Sequence, residues 1–183
     1  MRLEDFNALD DEAAARELLR CCGSSRWTRL MAAARPFADA AGLAVVADVV
    51  WKSLAPADWL EAFAAHPKIG AAAAATAGRA AGAGASGWED TGRWSDDEQA
   101  GVAGAPEATL RRLAQANREY EAHFGYIFII CATGLTAAAM LEALERRLRH
   151  APEMEMQAAA EEQRKITRLR LAKLLVGEQD LKP

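Results

Sequence analysis

Along most of this chain apolar residues return every three or four positions, the period of an α-helix with one buried face. From Asp10 to Cys22 the apolar face is Leu18, Leu19 and Cys22, with Asp10 or Asp11 as the cap and Gly23 as the stop. Ser24 or Ser25 can cap a second helix, SRWTRLMAAAR, which halts before Pro36. Ala38 to Leu54 repeats Val45, Val46, Val49 and Val50 at helical spacing, with Gly42 a local weakness. Pro56 suits the first turn of the next helix, which carries Trp59, Leu60, Phe63 and Ala64 on one face and ends at His66, because Pro67 follows. Helix returns at Ser95, and Pro106 opens a longer one that ends at Gly125. Thr136 caps TAAAMLEALERRLRH, and Pro152 opens the last helix, which runs to about Val176.

Two stretches break the period. Residues 71–93 are dominated by Ala and Gly, a poor composition for a fixed core, and the glycines after Gly78 point to a mobile loop. The other is Tyr126 to Gly134, YIFIICATG. Its β-branched and aromatic residues would permit a strand, yet the sequence offers no partner strand, so the segment reads as buried irregular chain or a short helix. There is no repeat and no βαβ alternation. The predicted class is all-α: one compact domain over residues 1–183, a bundle of about eight helices with an Ala/Gly-rich insertion at 71–93.

Composition narrows the partners. The net charge of -4 does not invite nucleic acid or an anionic membrane. Three cysteines, two of them adjacent (Cys21 and Cys22), make no disulfide framework and suit a reducing compartment. The acidic start, MRLEDFNALDDE, lacks the apolar core of a signal peptide, and the C-terminal DLKP carries no targeting tripeptide. The longest apolar run, Tyr126 to Ala132, is far too short to span a bilayer. These features lead to the expectation of a cytoplasmic protein without nucleic-acid or membrane partners.

A few polar residues could carry chemistry. His66 stands at a helix C-terminus, where the dipole favours a protonated imidazole; it is either a general acid–base group or a polar residue that ends a helix. Ser95-Asp96-Asp97-Glu98 has the pattern of a capping box, which accounts for Ser95 and Glu98 without any enzyme. Gln99 falls outside that account, and the free amides of a helix start also suit a carbonyl or carboxylate ligand. Arg170 shares a helix face with Ile166 and Leu174, so its guanidinium projects from an apolar stripe and needs a partner, either a structural anion or an oxygen-rich ligand. Arg164, Lys165, Arg168 and Lys173 read as a solvated basic face. His123 and His150 lie near helix ends with no clustered chemical partner and read as structural. Cys131 reads as core rather than nucleophile. No Cys/His pair has metal-ligand spacing, so no metal site is expected, and the glycines of 78–87 form no phosphate loop.

Six segments in order resemble one family along essentially the whole chain. They are Trp27 with Arg35-Pro36-Phe37, DWLEAFAAHPKIG (Asp58 to Gly70), WSDDEQAG (Trp94 to Gly101), Asn117 with Tyr120, FGYIFIICATG (Phe124 to Gly134) and KITRLRL (Lys165 to Leu171). The family is that of 2-oxo-4-hydroxy-4-carboxy-5-ureidoimidazoline (OHCU) decarboxylases of uric acid degradation. The resemblance implies an all-helical homodimer with no metal or organic cofactor that converts OHCU to (S)-allantoin and CO2. By motif, His66 is similar to the catalytic proton-transfer residue, with Glu98 beside it. Pro67, Ser95, Asp96, Asp97, Glu98, Gln99 and Arg170 correspond to substrate contacts, and Phe128, Ile129, Ile130, Cys131 and Ala132 to a segment that offers backbone groups. The stretch Ala71 to Arg93 is longer than the family pattern and is either a lid or a passive loop.

The chemistry agrees with this set. Loss of CO2 leaves an electron pair on a ring carbon, and the adjacent imine can accept it, so the substrate is its own electron sink. An arginine gripping the departing carboxylate would stabilise the ground state; Arg170 is better used on a carbonyl or the ureido group. His66 could take the hydroxyl proton or deliver one to the ring carbon, with Glu98 holding its tautomer. Two other classes remain: a non-enzymatic helical binding protein, and a lyase or hydrolase acting on a related ureido compound.

Overall fold

The structure is a computed structural model that describes residues 1–69, 94, 98, 100–102 and 104–175. It is all-helical. Among the described residues there are eight α-helices, one 3-10 turn and no strand. The helices are α1 (Leu3–Asn7), α2 (Asp11–Cys21), α3 (Ser25–Ala33), α4 (Ala40–Lys52), α5 (Pro56–Ala64), α6 (Glu107–Phe124), α7 (Ala137–Arg147) and α8 (Pro152–Leu175); the 3-10 turn is Ala100–Val102.

The helix starts follow from local chemistry. Asp10 accepts the Ala13 amide at 2.7 Å, Ser24 the Trp27 amide at 3.3 Å, Asp39 the Gly42 amide at 2.7 Å and Thr136 the Ala139 amide at 3.2 Å. Pro56 and Pro152 stand first in α5 and α8. Gly125 closes α6 with φ of 80°, a left-handed cap that few other residues adopt without strain. Several boundaries differ from expectation. The short α1 has a weak period and was not anticipated. Helix α4 begins at Ala40, because the Asp39 cap overrides the apolar pattern before it. Helix α5 ends at Ala64, and the His66 amide still donates to the Phe63 carbonyl at 3.1 Å in a final turn. Residues 127–132 take the irregular form of the two forms expected. The Ala/Gly-rich insertion, the Ser95 cap and the end of the last helix fall outside the described residues.

The chain divides into two units, Met1–Ala62 with Gln163–Pro183, and Phe63–Glu162. In the first, Phe6, Leu18, Trp27, Met31 and Leu43 are fully or almost fully buried, and the Trp27 indole donates to the Ala47 carbonyl at 3.2 Å. The last part of α8 joins this core through Ile166, Leu171 and Leu174. Its outer side is not simply solvated, which corrects the basic-face reading. Asp48 of α4 accepts Arg164 Nη1 at 2.6 Å, and also Arg168 through Nε at 3.0 Å and Nη2 at 2.6 Å. That two-pronged geometry is one a lysine could not reproduce.

Among the described residues the second unit holds an apolar cluster built from Ile69, Val102, Leu113, Ala116, Tyr120, Phe128, Ala132, Met140, Ala143 and Leu144. Beneath it lies a buried polar network. Glu155, fully buried in the first turn of α8, accepts the Tyr120 hydroxyl and, at 2.8 Å, Arg147 Nε. His150 Nδ1 sits 2.8 Å from its other oxygen. A carboxylate at this depth is tolerable only because each oxygen has a donor. His150 thus has a chemical partner that sequence spacing did not reveal.

Candidate active site

His66 is partly exposed, two residues beyond the end of α5, with Pro67 and Lys68 exposed after it. Contacts on either side of His66 hold this corner. Phe63, one turn earlier, packs at a tilt against Tyr126 with ring centroids 5.5 Å apart. Lys68 Nζ pairs with Glu121 of α6 at 2.6 Å. Ile69 is buried in the apolar cluster. The imidazole is therefore carried on a turn pinned from both sides in sequence.

Glu98 is buried and helical, 7 % exposed. Four residues later Val102 enters the same cluster as Ile69. Between them Gly101 lies so close to the Leu135 carbonyl that a Cβ there would fall 1.8 Å from the oxygen. Only glycine allows this approach. Ser95, Asp96, Asp97 and Gln99 lie outside the described residues.

Phe128 and Ala132 are members of that same cluster, and Ile130 packs against it. Ile129 is buried, while Ile130 and Cys131 are partly exposed, so Cys131 is less of a core residue than its apolar run suggested. Three motifs far apart in sequence are thus joined through one core: the His66 corner by Ile69, the Glu98 turn by Val102, and the irregular segment by Phe128 and Ala132. Two charged side chains take up this segment's backbone groups. Arg147 Nη1 donates to the Ile129 carbonyl at 2.7 Å, and the Cys131 amide donates to Glu162 Oε2 at 2.8 Å. Arg147 also stacks over the Phe128 ring at 4.6 Å. Burial, then the Glu155 hydrogen bond, push the Tyr120 phenol far up, which keeps it a neutral donor. Arg147, Glu155 and Glu162 were missed from sequence; a Glu such as Glu155 in a helix's first turn looks like an ordinary dipole-complementing residue.

Arg170 belongs to the first unit. It is 3 % exposed, as its place between Ile166 and Leu174 predicts. It lies near Cys21 and Cys22: burial raises both thiols, Cys22 to about 12, and the guanidinium works against that rise. Among the described residues no group of His, Cys, Asp and Glu could hold a metal ion. No single helix there is long and apolar enough to cross a membrane; α4 and α5 pass that test only as a pair bent by 115°.

The all-helical scaffold thus ties the His66 corner, the Glu98 turn and the irregular 128–132 segment to one apolar cluster. The chain belongs to the OHCU decarboxylase family, whose model matches residues 7–172. It is similar to the uric acid degradation bifunctional protein TTL of Arabidopsis thaliana, 39% identical over 155 residues, which are 84% of this chain and 45% of that protein. It is also 36% identical over 80 residues to the 2-oxo-4-hydroxy-4-carboxy-5-ureidoimidazoline decarboxylase of Mus musculus, 44% of this chain and 45% of the relative. The chain spans about half the length of the curated relatives it matches. Among solved structures, OHCU decarboxylase in the presence of (S)-allantoin aligns with a TM-score of 0.72 and 36% identity, covering 88% of this chain and 99% of that one. An (S)-allantoin synthase at 20% identity and a TM-score of 0.67, over 96% of this chain and 54% of that one, shares the fold.

Proposed function

We propose that this protein decarboxylates OHCU to (S)-allantoin and CO2 in uric acid degradation, with no metal or organic cofactor. The observation that carries this reading is the His66 corner, joined through one apolar cluster to the Glu98 turn and the 128–132 segment, in a chain of this family. The bond from the ring carbon to the carboxylate breaks, and its electron pair moves toward the adjacent C=N, whose nitrogen takes the pair and a proton. Loss of the hydroxyl proton then forms the ring carbonyl, and the neighbouring carbon takes a proton on one face. Every electron stays within the substrate, so the protein's task is orientation and proton transfer.

His66 is assigned the proton transfer, with Glu98 holding its tautomer. Arg170 and the 95–99 motif are assigned to the ring oxygens and ureido group, and the backbone of 128–132 to ring orientation. The reading includes a single domain, a homodimer and a cytoplasmic location. These rest on the family resemblance, and Val45 and Val49 of α4, 58% and 64% exposed, offer apolar surface for a second copy.

The test generates OHCU in place from urate with the two preceding enzymes and follows allantoin formation by circular dichroism, which also reads handedness. Acceleration to the (S) product by metal-stripped protein is expected. An unchanged rate with folded protein overturns the proposal.

A further inference from the structure

We infer that Glu162, together with the Arg147–Glu155 pair, is a positioning device for the 128–132 segment. An irregular chain at a site lacks the repeating backbone bonds that give a helix its rigidity, so its groups must be held by something else. Here the Ile129 carbonyl is held by Arg147 and the Cys131 amide by Glu162, a donor from α7 and an acceptor from α8, two residues apart in the segment. The Ala132 carbonyl accepts the Leu135 amide at 2.9 Å and closes the far end. Arg147 is itself locked, because Glu155 accepts its Nε, and Glu155 is held in turn by Tyr120 and His150. The segment's register is thereby referred to buried charges on two helices.

The two anchors differ in a useful way. Arg147 and Glu155 are buried, and cutting either one endangers folding. Glu162 is partly exposed, and its loss removes the tie at Cys131. The effect on turnover rests on the activity proposed above; the effect on the backbone does not.

The experiment uses the full chain with Glu162→Ala and Glu162→Gln. The glutamine keeps an acceptor oxygen and loses the charge. In Glu162→Ala, amide exchange at Cys131 should accelerate about tenfold or more with the melting temperature nearly unchanged. With OHCU, kcat should fall about tenfold to a hundredfold, since small misplacement of a reacting group costs that much. Glu162→Gln should restore both. Unchanged exchange at Cys131 overturns the inference, as does faster exchange with wild-type kcat, or an alanine defect that glutamine leaves uncorrected. If the wild-type protein is inactive on OHCU, the proposed activity fails by itself and exchange alone decides whether Glu162 holds the segment.

Discussion

Arg147→Ala should be among the most destabilising single changes in this chain. Its guanidinium lies over Phe128, bonds the Ile129 carbonyl and faces Glu155, whose side chain is fully buried. Removing it strands a carboxylate away from water and leaves a carbonyl without its donor. Breaking one side of a buried pair costs about 3–5 kcal/mol, and Tyr120 and His150 recover part of that by staying on Glu155. For a chain of this size each kcal/mol moves the melting temperature by about 2–4 °C, so a drop of roughly 10 °C is expected. Thermal melts followed by helical circular dichroism read it. Two companions make the reasoning testable. Glu107 and Arg111 pair on the surface with most of both side chains exposed, so Arg111→Ala should leave the melt unchanged. Replacing both Arg147 and Glu155 by apolar residues should recover much of the loss, because no uncompensated charge remains. An Arg147→Ala melt within about 2 °C of the wild type would refute the argument that Glu155 depends on it.

His66→Ala should lower OHCU turnover by about a hundredfold or more with an intact melt, as expected of a general acid–base group, and near-normal turnover returns His66 to a structural role. Glu98→Gln separates two roles: a capping residue tolerates the change, whereas a partner of His66 loses rate and shifts the pH–rate profile at constant melting temperature. Gly101→Ala must push the Leu135 backbone aside, so it should lower both stability and expression, while Gly42→Ala, with only a 3.4 Å approach to Asp39, should not. Burial raises the Cys22 thiol from 9.0 to about 12. The folded state therefore keeps a proton that the unfolded state gives up, and this contribution to stability is whole below pH 9.0 and fades as pH climbs toward about 12. Urea melts should show Cys22→Ala losing less stability than wild type between pH 8 and about 10, and an equal loss in both refutes the assignment.

Much of the local structure was written in short windows. Asp10, Ser24, Asp39 and Thr136 each bond an amide three residues on, so a cap needs nothing beyond its own neighbourhood. The burial of Arg170 was legible for a similar reason, since helical geometry alone places it between Ile166 and Leu174. His66, Pro67 and the 128–132 segment were legible as motifs, and their family followed from the order of those motifs. What could not be read was which distant groups meet. The sequence does not show that Tyr120, Arg147 and His150 meet at Glu155. Arg164 and Arg168 read as part of a solvated basic face, yet they bond both oxygens of Asp48, 116 and 120 residues away. Nothing near Gly101 in sequence shows that the Leu135 carbonyl lies against it. A sequence window encodes period, caps and turn residues, because those depend on bonds a few residues long. Whether a charge is buried and paired depends on packing that brings remote helices together, and only the tertiary structure decides that.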